Sequence, residues 1–113
     1  MSSDLIILIC TTCRGSGPAS DLRRAIARGA PESAVFKAVD CLAACDAPIA
    51  VGLQGRGKAS YLFGGIESDI EARAIATFAH AFENSATGWT SSQERPAALA
   101  DKTLARLPGI ALS

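Results

Sequence analysis

Two cysteine pairs, each following a strand-like apolar run, constrain this chain more than any other feature. Leu5-Ile6-Ile7-Leu8-Ile9 runs into Cys10-Thr11-Thr12-Cys13, and Ala34-Val35-Phe36-Lys37-Ala38-Val39 leads, one residue later, into Cys41-Leu42-Ala43-Ala44-Cys45. The first run is continuous and rich in β-branched residues, the pattern of a strand buried on both faces at a central position. Adjacent parallel strands end at the same edge of a sheet, and a strand–helix–strand crossover is right-handed, so both cysteine loops are expected at one rim. Four thiolates converging there form a metal or cluster site before anything else.

Length and composition support a single domain. The chain has 113 residues, 49% of them hydrophobic, enough to build a core without cross-links. We divide it into a core of about residues 4–85 and a C-terminal tail of 86–113. Lys+Arg and Asp+Glu are equal at 11 each, so no general basic field exists to hold nucleic acid. The apolar run near the start is too short for a signal segment or a membrane span. A soluble, cytoplasmic protein with reduced thiols is therefore expected, and its cysteines read as ligands or redox groups rather than disulfides.

The remaining elements follow from periodicity and punctuation. A helix is predicted over about 20–28, opened by Pro18 or Ser20 and stopped by Gly29 and Pro31, with Leu22, Ala25 and Ile26 inward. Arg23, Arg24 and Arg28 lie mainly outside it, as a solvated face or, alternatively, a docking patch for an acidic partner. Two short strands, 49–53 and 59–63, flank Gln54-Gly55-Arg56-Gly57-Lys58 and read as a hairpin. That glycine pattern is not a dinucleotide fingerprint, having no third glycine and no helix directly behind it. The clearest helix spans about 68–84, with Ile66, Ile70, Ala74, Phe78 and Phe82 four apart and acidic residues in its first turn. His80 reads as an ordinary packed or half-exposed imidazole. Trp89 is expected to fold back on the domain or to mark a contact surface. A last short helix is expected over 97–106 with Leu99 and Leu104 inward. The order of elements is β-α-β-loop-β-β-α, a thioredoxin-like α/β sheet with a C-terminal appendage.

Three chemistries compete for the cysteines. A dithiol redox site would use Cys10 and Cys13 at a helix N-terminus but leaves the second pair without a role. Structural Zn²⁺ suits four thiolates. A [2Fe–2S] cluster takes two thiolates per iron; the small Leu42, Ala43 and Ala44 and the hydroxyls of Thr11 and Thr12 could surround and hydrogen-bond its sulfurs. No nucleophile elbow, phosphate-cradling loop or histidine cluster points to a hydrolase or transferase.

Cys41-Leu42-Ala43-Ala44-Cys45-Asp46-Ala47-Pro48 followed by an apolar strand resembles the second half of the cluster motif of thioredoxin-like [2Fe–2S] ferredoxins. The first pair departs from that pattern, since only two residues separate Cys10 from Cys13. Over nearly the whole chain, Cys10-Thr11-Thr12-Cys13-Arg14, the second cysteine pair, Tyr61-Leu62-Phe63-Gly64, Gly88-Trp89 and Glu94-Arg95-Pro96 resemble the small bacterial family DUF1636. These resemblances imply that Cys10, Cys13, Cys41 and Cys45 hold a [2Fe–2S] cluster, with Zn²⁺ or cobalt as the alternative. They imply a one-electron carrier rather than an enzyme, served by a reductase and an acceptor protein, with no nucleic acid or membrane partner. A homodimer is implied by the ferredoxins, which commonly pair. A role in cobalamin or cobalt metabolism is implied by association alone.

Overall fold

A computed structural model of the chain describes residues 5–11, 15–40, 48–88 and 96–108. Its elements are β1 (Ile6–Cys10), α1 (Ser16–Ala27), β2 (Val35–Val39), β3 (Val51–Gln54), β4 (Ser60–Phe63), α2 (Asp69–Asn84), a 3₁₀ turn (Ala97–Leu99) and β5 (Thr103–Leu107). The strands form one mixed sheet in the order β2-β1-β3-β4-β5. β1 is an interior strand, as its apolar run predicts, parallel to β2 and antiparallel to β3, but it is not buried on both faces: Ile7 and Ile9 are buried and Ile6 and Leu8 only half-buried. The expected hairpin is β3–β4, with Gly57 at φ 70 in its turn, where only glycine avoids strain.

The core lies between the sheet and the two helices. Ile7, Ile9, Val51, Leu53, Tyr61 and Phe63 meet Ile26, Ile75, Phe78 and Phe82 in one buried cluster. Burial of each large side chain stabilises the fold by about 1.5–3 kcal/mol. The rings add directional contacts: Tyr61 and Phe63 both meet Phe78 edge to face, at 4.9 and 5.4 Å between centroids. α1 and α2 are held together where Gly29 approaches Ala76 and where His80 Nε2 donates to the Gly29 carbonyl at 2.8 Å. The lone histidine thus has an exposed, structural position, tying down the C-terminal end of α1.

Several expectations are corrected. α1 starts at Ser16, four residues before the predicted opening, because Pro18 falls in the first turn, where its missing N–H costs no hydrogen bond. Ile70 is not in the core stripe of α2; it is 69% exposed. The rest of the expected stripe, Ile66, Ala74, Phe78 and Phe82 with Ile75 and Ala79 beside it, is buried, and Ala72 and Ala76 widen the arc further. The predicted helix over 97–106 is a single 3₁₀ turn followed by edge strand β5, paired with β4. Leu99 is fully buried as expected, but Leu104 is 49% exposed, at a bulge between the Leu62–Ala105 and Phe63–Thr103 pairs. Trp89 and the Glu94–Arg95 dipeptide lie outside the described residues. Among the described residues, no helix is long and apolar enough to cross a membrane.

α2 is capped at both ends. Ser68 and Glu71 form a reciprocal capping box at its start. At its end the Lys58 ammonium, from the hairpin turn, donates to the carbonyls of Phe82 and Glu83, each at 3.0 Å. The hairpin's glycines make that approach possible: a Cβ on Gly55 would stand 3.0 Å from the Phe82 ring.

Candidate cysteine rim

The parallel register of β1 and β2 builds the rim. Cys10 is opposite Val39, so the two strands end level, one before each cysteine segment. The pairing continues one residue further: Thr11 donates to the Val39 carbonyl through its backbone N–H at 2.9 Å and its hydroxyl at 3.1 Å. The Cys10 thiol donates to the Asp40 carbonyl at 3.7 Å. Cys10 is therefore packed against the residue immediately preceding Cys41, thirty positions away in sequence.

Cys10 is buried, 1% exposed. Its backbone N–H donates to the Ala50 carbonyl at 3.1 Å, so the stretch leaving the second cysteine segment also lies beside it. Cys13, Cys41 and Cys45, with Thr12, Leu42, Ala43 and Ala44, lie outside the described residues. Of the four predicted ligands, Cys10 is thus the one with a described environment. The Thr11 hydroxyl, a candidate to hydrogen-bond a cluster sulfur, donates to the Val39 carbonyl.

Both helices begin at this rim. α1 opens at Ser16 behind Gly15, a glycine with no side chain to cap the helix. α2 opens at Asp69, just after Ile66 donates to the Ile49 carbonyl at 3.1 Å. The positive ends of both helix dipoles therefore point to the end of the sheet where anionic sulfur would sit. A groove of about 460 Å³ runs between the two helix starts, lined by Pro18, Asp21, Leu22, Ile49, Glu67 and Asp69, among others. Burial pushes the Glu71 carboxyl up, but the N–H groups of Glu67 and Ser68 and the Lys102 ammonium outweigh it and hold it down at about 2. That same contact, 3.0 Å long, raises the pKa of Lys102 and ties the segment before β5 to the start of α2.

The arginines of α1 serve the surface. Arg24 pairs with Asp21 on the same helix, and Arg23 stacks over the Phe36 ring at 5.7 Å. Among the described residues, no three His, Cys, Asp or Glu side chains group so as to hold a metal ion.

The model for the family described as "Protein of unknown function (DUF1636)" matches residues 7–109. No curated protein and no solved structure gives a significant match.

Proposed function

Because the chain belongs to the DUF1636 family, whose description assigns no function, we propose a reading from its own residues: a one-electron carrier whose Cys10, Cys13, Cys41 and Cys45 hold a [2Fe–2S] cluster. The observation that carries this reading is the packing of Cys10 against Asp40, which brings the start of one cysteine segment beside the start of the other. The fit rests on donor chemistry. Four thiols and no histidine suit an iron–sulfur centre, and Cys10 is shielded from water, which protects such a centre from hydrolysis. The cluster would supply reversible one-electron reduction. The protein's part is electrostatic and steric: the dipoles of α1 and α2 offset added negative charge, while β1 and β2 hold the approach of the two segments rigid.

The finer fold assignment belongs to the same proposal. A sheet order of β2-β1-β3-β4, with β1 and β2 parallel and a hairpin antiparallel beside them, supports a thioredoxin-like core to which β5 is added. A reductase and an acceptor would exchange electrons over the cysteine rim, and an acceptor in cobalt reduction rests on the family resemblance alone. The test is anaerobic purification followed by iron and sulfide analysis and an EPR spectrum of the reduced protein. Equal iron and sulfide with a rhombic reduced signal is the expected result. A colourless protein with stoichiometric zinc and no sulfide would replace this reading with the four-thiolate Zn²⁺ module, which the short first spacing, Cys10 to Cys13, favours.

A further inference from the structure

A sheet edge presents bare N–H and C=O groups, and proteins blunt such edges with bulges, prolines, charges or a covering element. The two edges of this sheet differ. β5 has a bulge against β4 and carries Arg106. β2 pairs with β1 over five residues without a break, contains no proline, and has Lys37 as its one charged residue. Val35 donates to the Leu5 carbonyl and the Val39 carbonyl accepts from Thr11, so the odd-numbered residues of β2 turn their backbone groups toward β1. Strand alternation then turns the N–H and C=O of Phe36 and Ala38 outward, where no described residue pairs with them. Lys37 and Ala38 are exposed. We propose that this edge takes an acidic, extended segment of a partner protein, paired to β2 as a further strand.

A hollow and two cations select that occupant. Between β2 and α1 lies a hollow of about 140 Å³, walled by Ile9, Ala19, Phe36 and Ala38 and reaching Thr11 at the rim end of the sheet. A strand laid along β2 turns alternate side chains toward α1, so an apolar one enters the hollow while its backbone meets Phe36 and Ala38. Arg23 lines the hollow and is held over the Phe36 ring. Lys37 is level with Leu8 and projects from the other face of β2. Neither cation forms an ion pair with a described residue, and no described carboxylate lines the hollow. Acidic side chains on the incoming strand therefore find a cation on each face, whereas a basic strand meets repulsion on both. A free anion would satisfy the charges but leave the outward N–H and C=O groups unmet. The bound segment runs up to Asp40, the residue before Cys41.

This inference goes beyond the cluster reading and stands whichever centre the cysteines hold. The probe is a blocked heptapeptide alternating Val with Asp; its control has Lys in place of Asp. Hydrogen–deuterium exchange of the full chain, loaded as purified, is read at single residues by mass spectrometry with and without about 1 mM peptide, a level that registers weak encounters. The Asp peptide should slow exchange at Phe36 and Ala38 by about tenfold or more and leave the paired Val35 and Val39 amides as they were; the Lys peptide should do nothing. Arg23→Glu and Lys37→Glu should each weaken the Asp peptide's binding by about tenfold, while Arg24→Glu, at a position paired with Asp21 away from the hollow, should not. Ala38→Pro removes one outward N–H without touching the pairing to β1, and should lose binding while the cooperative melt persists. No binding of the Asp peptide, equal binding of both peptides, protection that misses Phe36 and Ala38, or charge variants that bind as the wild type does would each overturn the proposal. So would amides at Phe36 and Ala38 already protected before peptide is added, which would assign the edge to another part of the chain or to a second copy.

Discussion

At the scale of single residues, Cys10 and Glu71 make the sharpest predictions. If all four thiols share one centre, Cys45→Ser should release its metal as completely as Cys10→Ser does. A dithiol enzyme using Cys10 and Cys13 would instead tolerate Cys45→Ser; metal content of the two variants decides. Glu71 has its carboxyl lowered from 4.5 to about 2 in the folded chain. A depressed carboxyl contributes stability that is complete above its unfolded value and lost as pH falls toward the folded one. Wild type should therefore lose stability between about pH 4.5 and pH 2 that Glu71→Gln never had, as thermal melts across that window will reveal. At neutral pH the variant should be weaker by about 1 kcal/mol, an allowance that reflects capping and partial solvent screening. Residue roles were unevenly legible in the sequence. The cysteines stand out because so few residue types bind soft metals. The exposure of Ile70 does not, because a four-residue spacing overshoots the helical repeat by about 40° per step and leaves Ile70 off the arc that holds Ala74, Phe78 and Phe82.

Elements were legible where periodicity and punctuation agreed. The central strand, the hairpin and α2 all follow from apolar pattern and turn chemistry. The segment after Pro96 misled because Ala, Leu, Lys and Arg favour helix, yet β4 offers an open edge whose hydrogen bonds outweigh that local preference. β5 and its preceding turn are held partly through Leu99, which is fully buried. Leu99→Ala should cost about 2–5 kcal/mol in urea unfolding, the effect of a core cavity, rather than the near-zero change of a loose tail. Lys58 was invisible as a cap because it comes from another element, 24 residues before the carbonyl it meets. Lys58→Met keeps the packing over Phe82 but removes the donor; it should destabilise by about 1 kcal/mol and speed amide exchange selectively in the last turn of α2.

For the molecule as a whole, the shared rim could be anticipated from topology alone, since parallel neighbours end together. What could not be anticipated was which face of the sheet the helices cover, because an apolar run reads the same whichever side they pack on. Among the described residues, the core is already continuous across the sheet and both helices. Protein stripped by chelator should therefore retain its far-UV circular dichroism and a cooperative melt, at a lower temperature than the loaded form. Collapse to an unfolded spectrum would mean that the inorganic centre, not the core, holds the fold.

The contact between Cys10 and Asp40 also sets an order of events. Their thirty-residue separation means that a nascent or denatured chain has no preformed cradle; β1 must first find β2, with α1 wound between them. Any ion or cluster that needs thiols from both segments has to be delivered to a chain already past that step, so assembly is a late, post-folding insertion whose speed is set by access to the rim.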